Sequence, residues 1–391
     1  MKRILMVLQS DFPPDMRVQK EALSLISAGN RVVILCDNRI KNARKSLIKG
    51  IEVIRIKHFS AAKGKVHHFI NLPVYPNPVW LSAIAGTVQK IKADVIHVHD
   101  LPLALSALHV SAIYNIPLII DLHENYPAAL KQWYKPGIAG WTIRNPKISA
   151  KVERFCLKRS KRVVVIDNVH KKLLIKRGIE AEKIFVVPNV PSAEFINYNK
   201  PDNDFKRDYG DTYNLVYFGK LNPERNLELA LRAMPELKNR IPSVRLIIAG
   251  DGPHRQILEK LIRFLKIENS VQITGWLNVE DAVKFIDIAD ICIIPHFSND
   301  NMDIGVPNKL FEYMAREKPV VVPRSEAIAH VVSKVNCGVI FKPDSLDSYI
   351  NAVIKIYDSD FNYGYFGRKA VEQEYNWNNA EKELFRAYSG V

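Results

Sequence analysis

Histidine beside carboxylate occurs twice in this chain, as His99-Asp100 and as Asp121-Leu122-His123-Glu124. Each pair closes a β-branched run, Val95–Val98 and Leu118–Ile120, that reads as a buried strand. An imidazole next to a carboxylate can move a proton near neutral pH or hold positive charge against an anion. A lone histidine there is more often structural; two at equivalent strand ends favour a site. A second group follows strand Leu215–Phe218, where Gly219-Lys220 and Arg225 occupy a short loop. Two cations at a strand end could neutralise a diphosphate, the guanidinium engaging two oxygens at once. Taken alone, they are better explained as surface charge. The third group is Gly305-Val306-Pro307-Asn308-Lys309-Leu310 with Glu312 just beyond. Free amides at a helix start suit phosphate, and a nearby carboxylate suits ribose hydroxyls. All three groups would sit at the carboxyl edges of parallel sheets, where open α/β folds bind ligands.

The elements that must position these groups alternate regularly. Strand Ile4–Leu8, helix Arg17–Ser27 and strand Val32–Cys36 open the chain without a GxGxxG, so a dinucleotide site is not expected. Strand Val53–Ile56, helix Val79–Ile91 and strands Val95–Val98, Leu118–Ile120 and Val163–Ile166 follow. After the polar segment Asn197–Thr212 the alternation restarts. Its strands are Leu215–Phe218, Arg245–Ala249, Val271–Thr274, Ile291–Ile294, Val320–Val322 and Gly338–Phe341, with helices Leu227–Met234, Arg255–Lys266 and Val279–Ile286 between. Around Leu310, Phe311, Met314 and Ala315 the spacing predicts a helix whose first residue is Pro307. Helical stretches Asp347–Tyr357 and Tyr365–Tyr388 end the chain. The expected fold class is α/β, two Rossmann-like parallel-sheet domains facing each other across a cleft. The expected boundaries are 1–195, 196–365 and a final helical segment 366–391.

At 391 residues the chain exceeds one core, and 47% hydrophobic with 25% charged residues is the composition of a folded soluble protein. Cys36, Cys156, Cys292 and Cys337 are scattered without a CxxC, as expected for buried thiols in a reducing compartment. Lys2–Leu8 is too short for a signal sequence, and Leu101–Ile120 reads as a helix–strand pair because Pro102, Asn115 and Pro117 interrupt it. The net charge of +15 is uneven: residues 1–200 hold 32 Lys and Arg against 14 Asp and Glu. Arg144–Arg162 alone carries eight basic residues and one acid, Glu153, beside Tyr126, Trp133, Tyr134 and Trp141. Cations interleaved with aromatics suit an anionic membrane surface, and would equally suit single-stranded nucleic acid.

Four segments of the second half, YFGKLNPERNLELALRAM, IIAGDGPHRQILEKL, VQITGWLNVEDAVKFIDIADICIIPH and GVPNKLFEYMAREKPVVV, resemble in order and spacing the motifs of family 4 retaining glycosyltransferases. SDFPPDMRVQKEALSLISAGNRVVIL resembles the N-terminal motif of one branch, VVPNVPSAEF the interdomain segment, and YNWNNAEKELFRAY the last helix of the GT-B fold. The resemblance implies that Lys220 and Arg225 bind the donor diphosphate and Glu312 the ribose hydroxyls. Gly219, the amides of Gly305–Lys309, Leu310 and the Gly275-Trp276 turn would complete the donor pocket. His123 would face the reacting sugar phosphate, with Asp15, Arg17, His99, Asp100 and Glu124 on the acceptor side.

The chain departs from the family pattern twice. Where the family has a first glutamate stands Ile304, with Asp303 adjacent, and the N-terminal glycine pair is replaced by Asp15-Met16-Arg17. The expected donor is a nucleotide-diphosphate sugar, UDP-linked before GDP-linked, and the acceptor a glycan or polyprenyl-linked carrier in cell-surface polysaccharide synthesis. No metal or cofactor is expected to be obligatory; Asp358-Ser359-Asp360 reads as a solvated turn. Expected localisation is cytoplasmic, peripheral on the inner face of an anionic membrane, and nucleic acid is not an expected partner. A sugar-nucleotide epimerase or hydrolase is the alternative, with a basic nucleic-acid binder behind it.

Overall fold

The computed structural model describes residues 1–57, 75–133, 145–198, 205, 207–299 and 303–391. Tyr134 and Trp141, singled out above, lie outside the described residues, as does the Trp133 side chain. Two compact units divide the chain: Met1–Pro188 with Ala380–Val391, and Asn189–Asn379. The expected boundary at 365 lies inside the second unit, where the Phe311 ring stacks on Tyr375 with centroids 5.1 Å apart.

The first unit is built on β1 (Arg3–Leu8), β2 (Arg31–Cys36), β3 (Lys45–Ile48), β4 (Ile51–Arg55), β5 (Val95–His99), β6 (Leu118–Leu122), β7 (Arg162–Val165) and β8 (Ile184–Val186). They form one sheet in the order β3-β4-β2-β1-β5-β6-β7-β8, parallel except for the β3–β4 pair. Its helices are α1 (Met16–Ser27), α2 (Pro78–Ile91), α3 (Ala104–Tyr114), α4 (Tyr126–Trp133), α5 (Pro146–Arg159) and α6 (Asn168–Lys176). A parallel sheet is covered on both faces, so β1 is apolar at every position from Ile4 to Leu8, none more than 3% exposed. Each such side chain contributes about 1.5–3 kcal/mol by leaving water. Asp15, Asn77, Asn145 and Asp167 each accept from an amide of the first turn that follows, which fixes where α1, α2, α5 and α6 begin.

The second unit holds α7 (Ala193–Ile196), β9 (Tyr213–Phe218), α8 (Leu227–Arg240), β10 (Val244–Ala249), α9 (Arg255–Leu265) and β11 (Val271–Ile273). Next come α10 (Val279–Asp287), β12 (Ile291–Ile293), α11 (Asn308–Ala315), β13 (Val320–Pro323), α12 (Glu326–Val335), β14 (Gly338–Phe341), α13 (Leu346–Tyr357) and α14 (Tyr363–Gln373). Its strands run parallel in the order β11-β10-β9-β12-β13-β14. A last helix, α15 (Trp377–Tyr388), carries the chain back into the first unit from Ala380 onward.

Four local expectations change. Pro307 is the N-cap of α11, not its first residue, with an extended ψ of 135°. Tyr365–Tyr388 is two helices, because the buried Asn376 side chain donates to the carbonyls of Val371 and Glu372 and accepts from the Asn379 amide. The edge strand β3 and helix α12 are additions; α12 buries Ala327, Ile328, Val331 and Val332, a helical stripe present in the sequence. Leu101–Ile120 does divide into a helix and a strand, and among the described residues no helix is long and apolar enough to cross a membrane. All four thiols are buried and free.

Candidate functional site

In the first sheet the strand order turns at β1 and β5, and the loops leaving β1, β5 and β6 converge at their carboxyl ends. Asp15 caps α1 by accepting from the Val18 amide at 3.1 Å, which sets Arg17 on the first turn, facing inward. Its guanidinium donates to both Asp121 carboxylate oxygens at 3.0–3.2 Å and to the Val187 carbonyl at 2.8 Å, and Glu21 lies 3.1 Å away. Asp121 in turn reaches His123 at 3.2 Å and His99 at 3.5 Å, and the two imidazoles stand 3.2 Å apart. Asp100 accepts from the His123 amide and places its other oxygen 3.5 Å from His123 Nδ1. Behind them His97 stacks on His99 at 4.5 Å, and its Nδ1 meets the Tyr388 hydroxyl of α15 at 2.7 Å.

The charges follow from this packing. Burial alone would lower His123, but Asp100 and Asp121 outweigh it and raise its pKa to about 10. His123 is therefore an imidazolium at neutral pH, a donor and not a base. Burial works against Asp121 too, yet Arg17 and His123 hold it well below the usual carboxylate range. Glu21 is pushed up to about 8 by burial and then by Asp121, so it keeps its proton at neutral pH although Arg17 is close. One guanidinium balances one buried carboxylate, and the bidentate partner is Asp121.

Glu21, His97, His99 and Asp121 are residue types that ligate metals, and their ligand atoms lie within 4.8 Å of one another. Arg17 already occupies Asp121 and lies beside the protonated Glu21, so a metal ion would have to displace a guanidinium held by three Asp121 hydrogen bonds. This donor set fits a charge network better than a metal site.

In the second sheet the order turns at β9 and β12. Gly219 ends β9 at φ +136°, and a Cβ there would lie 2.9 Å from Lys309 Nζ. At Gly250 (φ +157°), after β10, it would lie 2.0 Å from the Gly219 carbonyl oxygen. These glycines admit an approach that no side chain permits. Lys309 Nζ donates to the Tyr217 hydroxyl at 2.9 Å and lies 4.0 Å from that ring's centroid. Arg225, at the end of the Pro223–Arg225 turn, places Nη1 3.2 Å from His296 Nε2, just past β12. Burial, then Lys309 and Arg225, hold His296 well below its ordinary pKa, so it is neutral and accepts from Arg225. Burial and then Arg225 press Lys309 well below the usual lysine range. Among the described residues neither Arg225 nor Lys309 has a carboxylate at salt-bridge distance.

Around Arg225 and Lys309, Glu312 is half-buried on α11 and accepts from the side-chain Nδ2 of Asn308 at 3.2 Å. The Tyr313 hydroxyl accepts from the Phe218 amide at 2.9 Å and ties α11 to β9. Asp303 accepts from the Ser298 hydroxyl at 2.8 and 3.0 Å. Lys220 is exposed, and Trp276, after Gly275 at φ +83°, is 76% exposed.

Comparison with known proteins accords with this arrangement. Residues 17–191 match the family described as Glycosyltransferase Family 4, and residues 212–359 the one described as Glycosyl transferases group 1. The alpha-D-kanosaminyltransferase of Streptomyces kanamyceticus is 22% identical over 322 residues, 74% of this chain and 80% of that protein. An uncharacterized glycosyltransferase of Methanocaldococcus jannaschii is 24% identical over 352 residues, 87% and 85% of the two chains. Sucrose-phosphate synthase from Thermosynechococcus elongatus shares the fold at TM-score 0.80, with 15% identity over 99% of this chain and 98% of that one. Anabaena HepE, solved in complex with UDP, does so at TM-score 0.74, with 15% identity over the full length of both. The chain is a glycosyltransferase of the GT-B fold.

The glycosyltransferase gathers its sequence-derived candidates into two groups, one on each sheet. Asp15, Arg17, His99, Asp100 and His123 meet on the first, with half-buried Glu124 next to them. Arg17 and His99, expected to line the acceptor side, are 4% and 1% exposed and instead hold Asp121 and His123 from behind. On the second sheet Gly219, Arg225 and the 305–312 segment meet. Sequence reasoning missed Glu21, His97 and Tyr388 in the first group and Tyr217 and His296 in the second. His97 was legible, two residues before His99 on one strand and so on the same face. Nothing local marked Tyr388, which arrives from the far end of the chain.

Proposed function

We propose that the enzyme transfers a sugar from a nucleotide-diphosphate donor, with retention of configuration, to a lipid-linked glycan in cell-surface polysaccharide synthesis. The observation that carries the donor is the pair Arg225 and Lys309, a guanidinium and a buried amine that, among the described residues, have no carboxylate at salt-bridge distance, at the edge where the second sheet's order turns. Breaking the anomeric C–O bond builds negative charge on the departing diphosphate. Arg225, Lys309 and the nearby Lys220 stabilise that charge as it forms, together with the amides at the start of α11. An approaching diphosphate also returns the ammonium form to Lys309. Side-chain cations meet the leaving group's charge, so no metal is obligatory. Glu312 takes the ribose hydroxyls, and Trp276 beside Gly275 borders the base.

In the first unit the His123 imidazolium donates to an oxygen of the transferred sugar or its phosphate, with Asp100 and Asp121 holding its orientation. No side chain is assigned as nucleophile; the acceptor hydroxyl attacks from the face the diphosphate leaves and gives its proton to the departing diphosphate oxygen, which retains the configuration. A UDP-sugar is favoured, in keeping with HepE solved in complex with UDP, and a GDP-sugar comes next, as in the GDP-mannose-dependent mannosyltransferase of Mycobacterium tuberculosis.

A thermal-shift panel of UDP, GDP, ADP and CMP on wild type and Glu312→Ala tests this. A nucleotide at 100 times its dissociation constant adds about 2.7 kcal/mol of stability. One nucleotide should stabilise the wild type and not the variant. A panel that shifts neither protein would remove the donor assignment, and free sugar released from the donor alone would indicate a hydrolase.

A further inference from the structure

The first unit carries a cavity of about 1050 Å³ at the amino edge of its sheet, where β6, β7 and β8 begin and α3 and α5 end. This edge is opposite to the one that carries His99 and His123. Leu108, Ile116 and Phe155 give the cavity apolar walls, and Phe155 is 44% exposed. Lys158, Arg159, Lys161 and Arg162 stand along its rim, with the Arg159 guanidinium 3.9 Å over the centre of the Phe155 ring. Lys183 also lines it but is paired with Glu180 at 3.3 Å. Among the described residues no Asp or Glu side chain lines the cavity, and none of the four rim cations has a carboxylate at salt-bridge distance.

Helix ends explain part of this. The carbonyls of the last turn of α5 favour Lys158 and Arg159, an effect that fades within that turn. It does not account for Lys161 and Arg162, which lie past the helix, or for a half-exposed phenylalanine among cations. An apolar trough under a cationic rim is complementary to an amphiphile with an anionic head. A free phosphate makes no use of the trough, and a polynucleotide offers no alkyl chain to fill it.

We propose that this groove takes the head and upper chains of an anionic phospholipid, docking the amino edge of the first sheet on an anionic bilayer. The inference rests on the proposal that the enzyme works on a lipid-linked acceptor at a membrane, and it adds the surface that would hold it there. Each Lys or Arg close to such a surface strengthens binding by several-fold, and the apolar walls add to this.

Co-sedimentation of the full chain with vesicles tests the assignment, using phosphatidylcholine alone or mixed with phosphatidylglycerol. Wild type should bind the mixed vesicles at least about tenfold more tightly than the neutral ones. Lys158→Glu/Lys161→Glu should lose about tenfold or more. Phe155→Ser, which keeps every charge, should lose several-fold. Lys90→Glu/Lys92→Glu is the control: the same charge change at the end of another helix, α2, outside the groove. It should bind like wild type. Equal losses from the two double variants would overturn the groove and leave diffuse attraction. Displacement of wild type by inorganic phosphate at matched phosphate concentration would reduce the site to an ion site. Equal wild-type recovery on both lipids would overturn the membrane reading itself. A retained nucleotide thermal shift in each variant separates these failures from failure of the donor assignment and shows that the variants fold.

Discussion

The two sheet edges solve opposite electrostatic problems with the same topology. On the first, each cation has its counter-ion: Arg17 is held by Asp121, and His123 lies between Asp121 and Asp100. On the second, Arg225, Lys309 and neutral His296 crowd together with no carboxylate at salt-bridge distance among the described residues. A buried charge that is paired and hydrogen-bonded can be a fixed part of the fold. One left uncompensated destabilises the empty protein and is relieved by an arriving anion. The first edge is finished as built; the second, on the function proposed above, is completed by its ligand.

Removing one charge from each edge should separate them most sharply. Asp121→Asn strips the counter-ion from Arg17 and from one side of His123, and breaking a buried pair in this way costs about 3–5 kcal/mol. Its melting temperature should fall steeply. At the second edge, Lys309→Met removes a buried amine that has no carboxylate at salt-bridge distance among the described residues, and keeps the side chain's volume. Its melting temperature should hold or rise while the nucleotide-induced shift disappears. Arg225→Ala should lower kcat by about 10²–10³, the loss seen when a single transition-state donor is removed. A large stability loss in Lys309→Met with nucleotide binding intact would erase the contrast.

The edges should also differ in pH response. His123 has its pKa raised from the ordinary 6.5 to about 10, so its stabilising contribution is complete below 6.5 and is lost as pH climbs through about 10. Glu21 runs the other way in origin: its pKa is raised by burial from 4.5 to about 8, so the unfolded chain releases that proton first. Its presence therefore costs progressively more stability between pH 4.5 and 8. Melting temperatures of wild type and Glu21→Gln should diverge across that window in favour of the variant. At the second edge Lys309 should take up a proton as a diphosphate binds. Calorimetry of UDP binding in buffers of different ionisation enthalpy would show it, and enthalpies independent of buffer would count against that role.

Much of this was legible in the sequence, for reasons that can be named. Parallel strands buried on both faces leave continuous apolar runs such as Ile4–Leu8 and Val320–Val322, so strand positions, and the loops after them, could be placed within a residue or two. His99, His123, Lys220 and Arg225 stood out because they follow such runs directly. What distance in sequence separates was not legible: Tyr388 reaches His97 across 291 residues, and Lys309 reaches Tyr217 across 92. Burial was the other gap. Arg17 is expected from the sequence to line the acceptor side beside Asp15, and becomes an internal strut only because Asp121 and the Val187 carbonyl lie behind it.

The smallest expected effect concerns Asp303, beside the position where the family's first glutamate is replaced by Ile304. Both Asp303 oxygens are within reach of the Ser298 hydroxyl, at 3.0 and 2.8 Å, so the carboxylate has a local task in shaping the loop. Exchanging it for Asn keeps the size and one acceptor, and losing part of a loop hydrogen bond costs about 0.5–1.5 kcal/mol. The hydrogen bond that Ser298 donates to Asp303 and sugar recognition make different kinetic predictions. If the carboxylate only orders the loop, Asp303→Asn should change KM and kcat little, and Ser298→Ala should reproduce what change there is. If it also grips sugar hydroxyls, as the missing glutamate would, Asp303→Asn should raise the donor KM by more than Ser298→Ala, with kcat nearly unchanged. We expect the second pattern, because an ionised carboxylate offers about four acceptor sites on its two oxygens, more than the Ser298 hydroxyl can use. Identical kinetics in the two variants would leave Asp303 as part of the loop's internal structure and move sugar recognition to Glu312 and the amides ahead of α11.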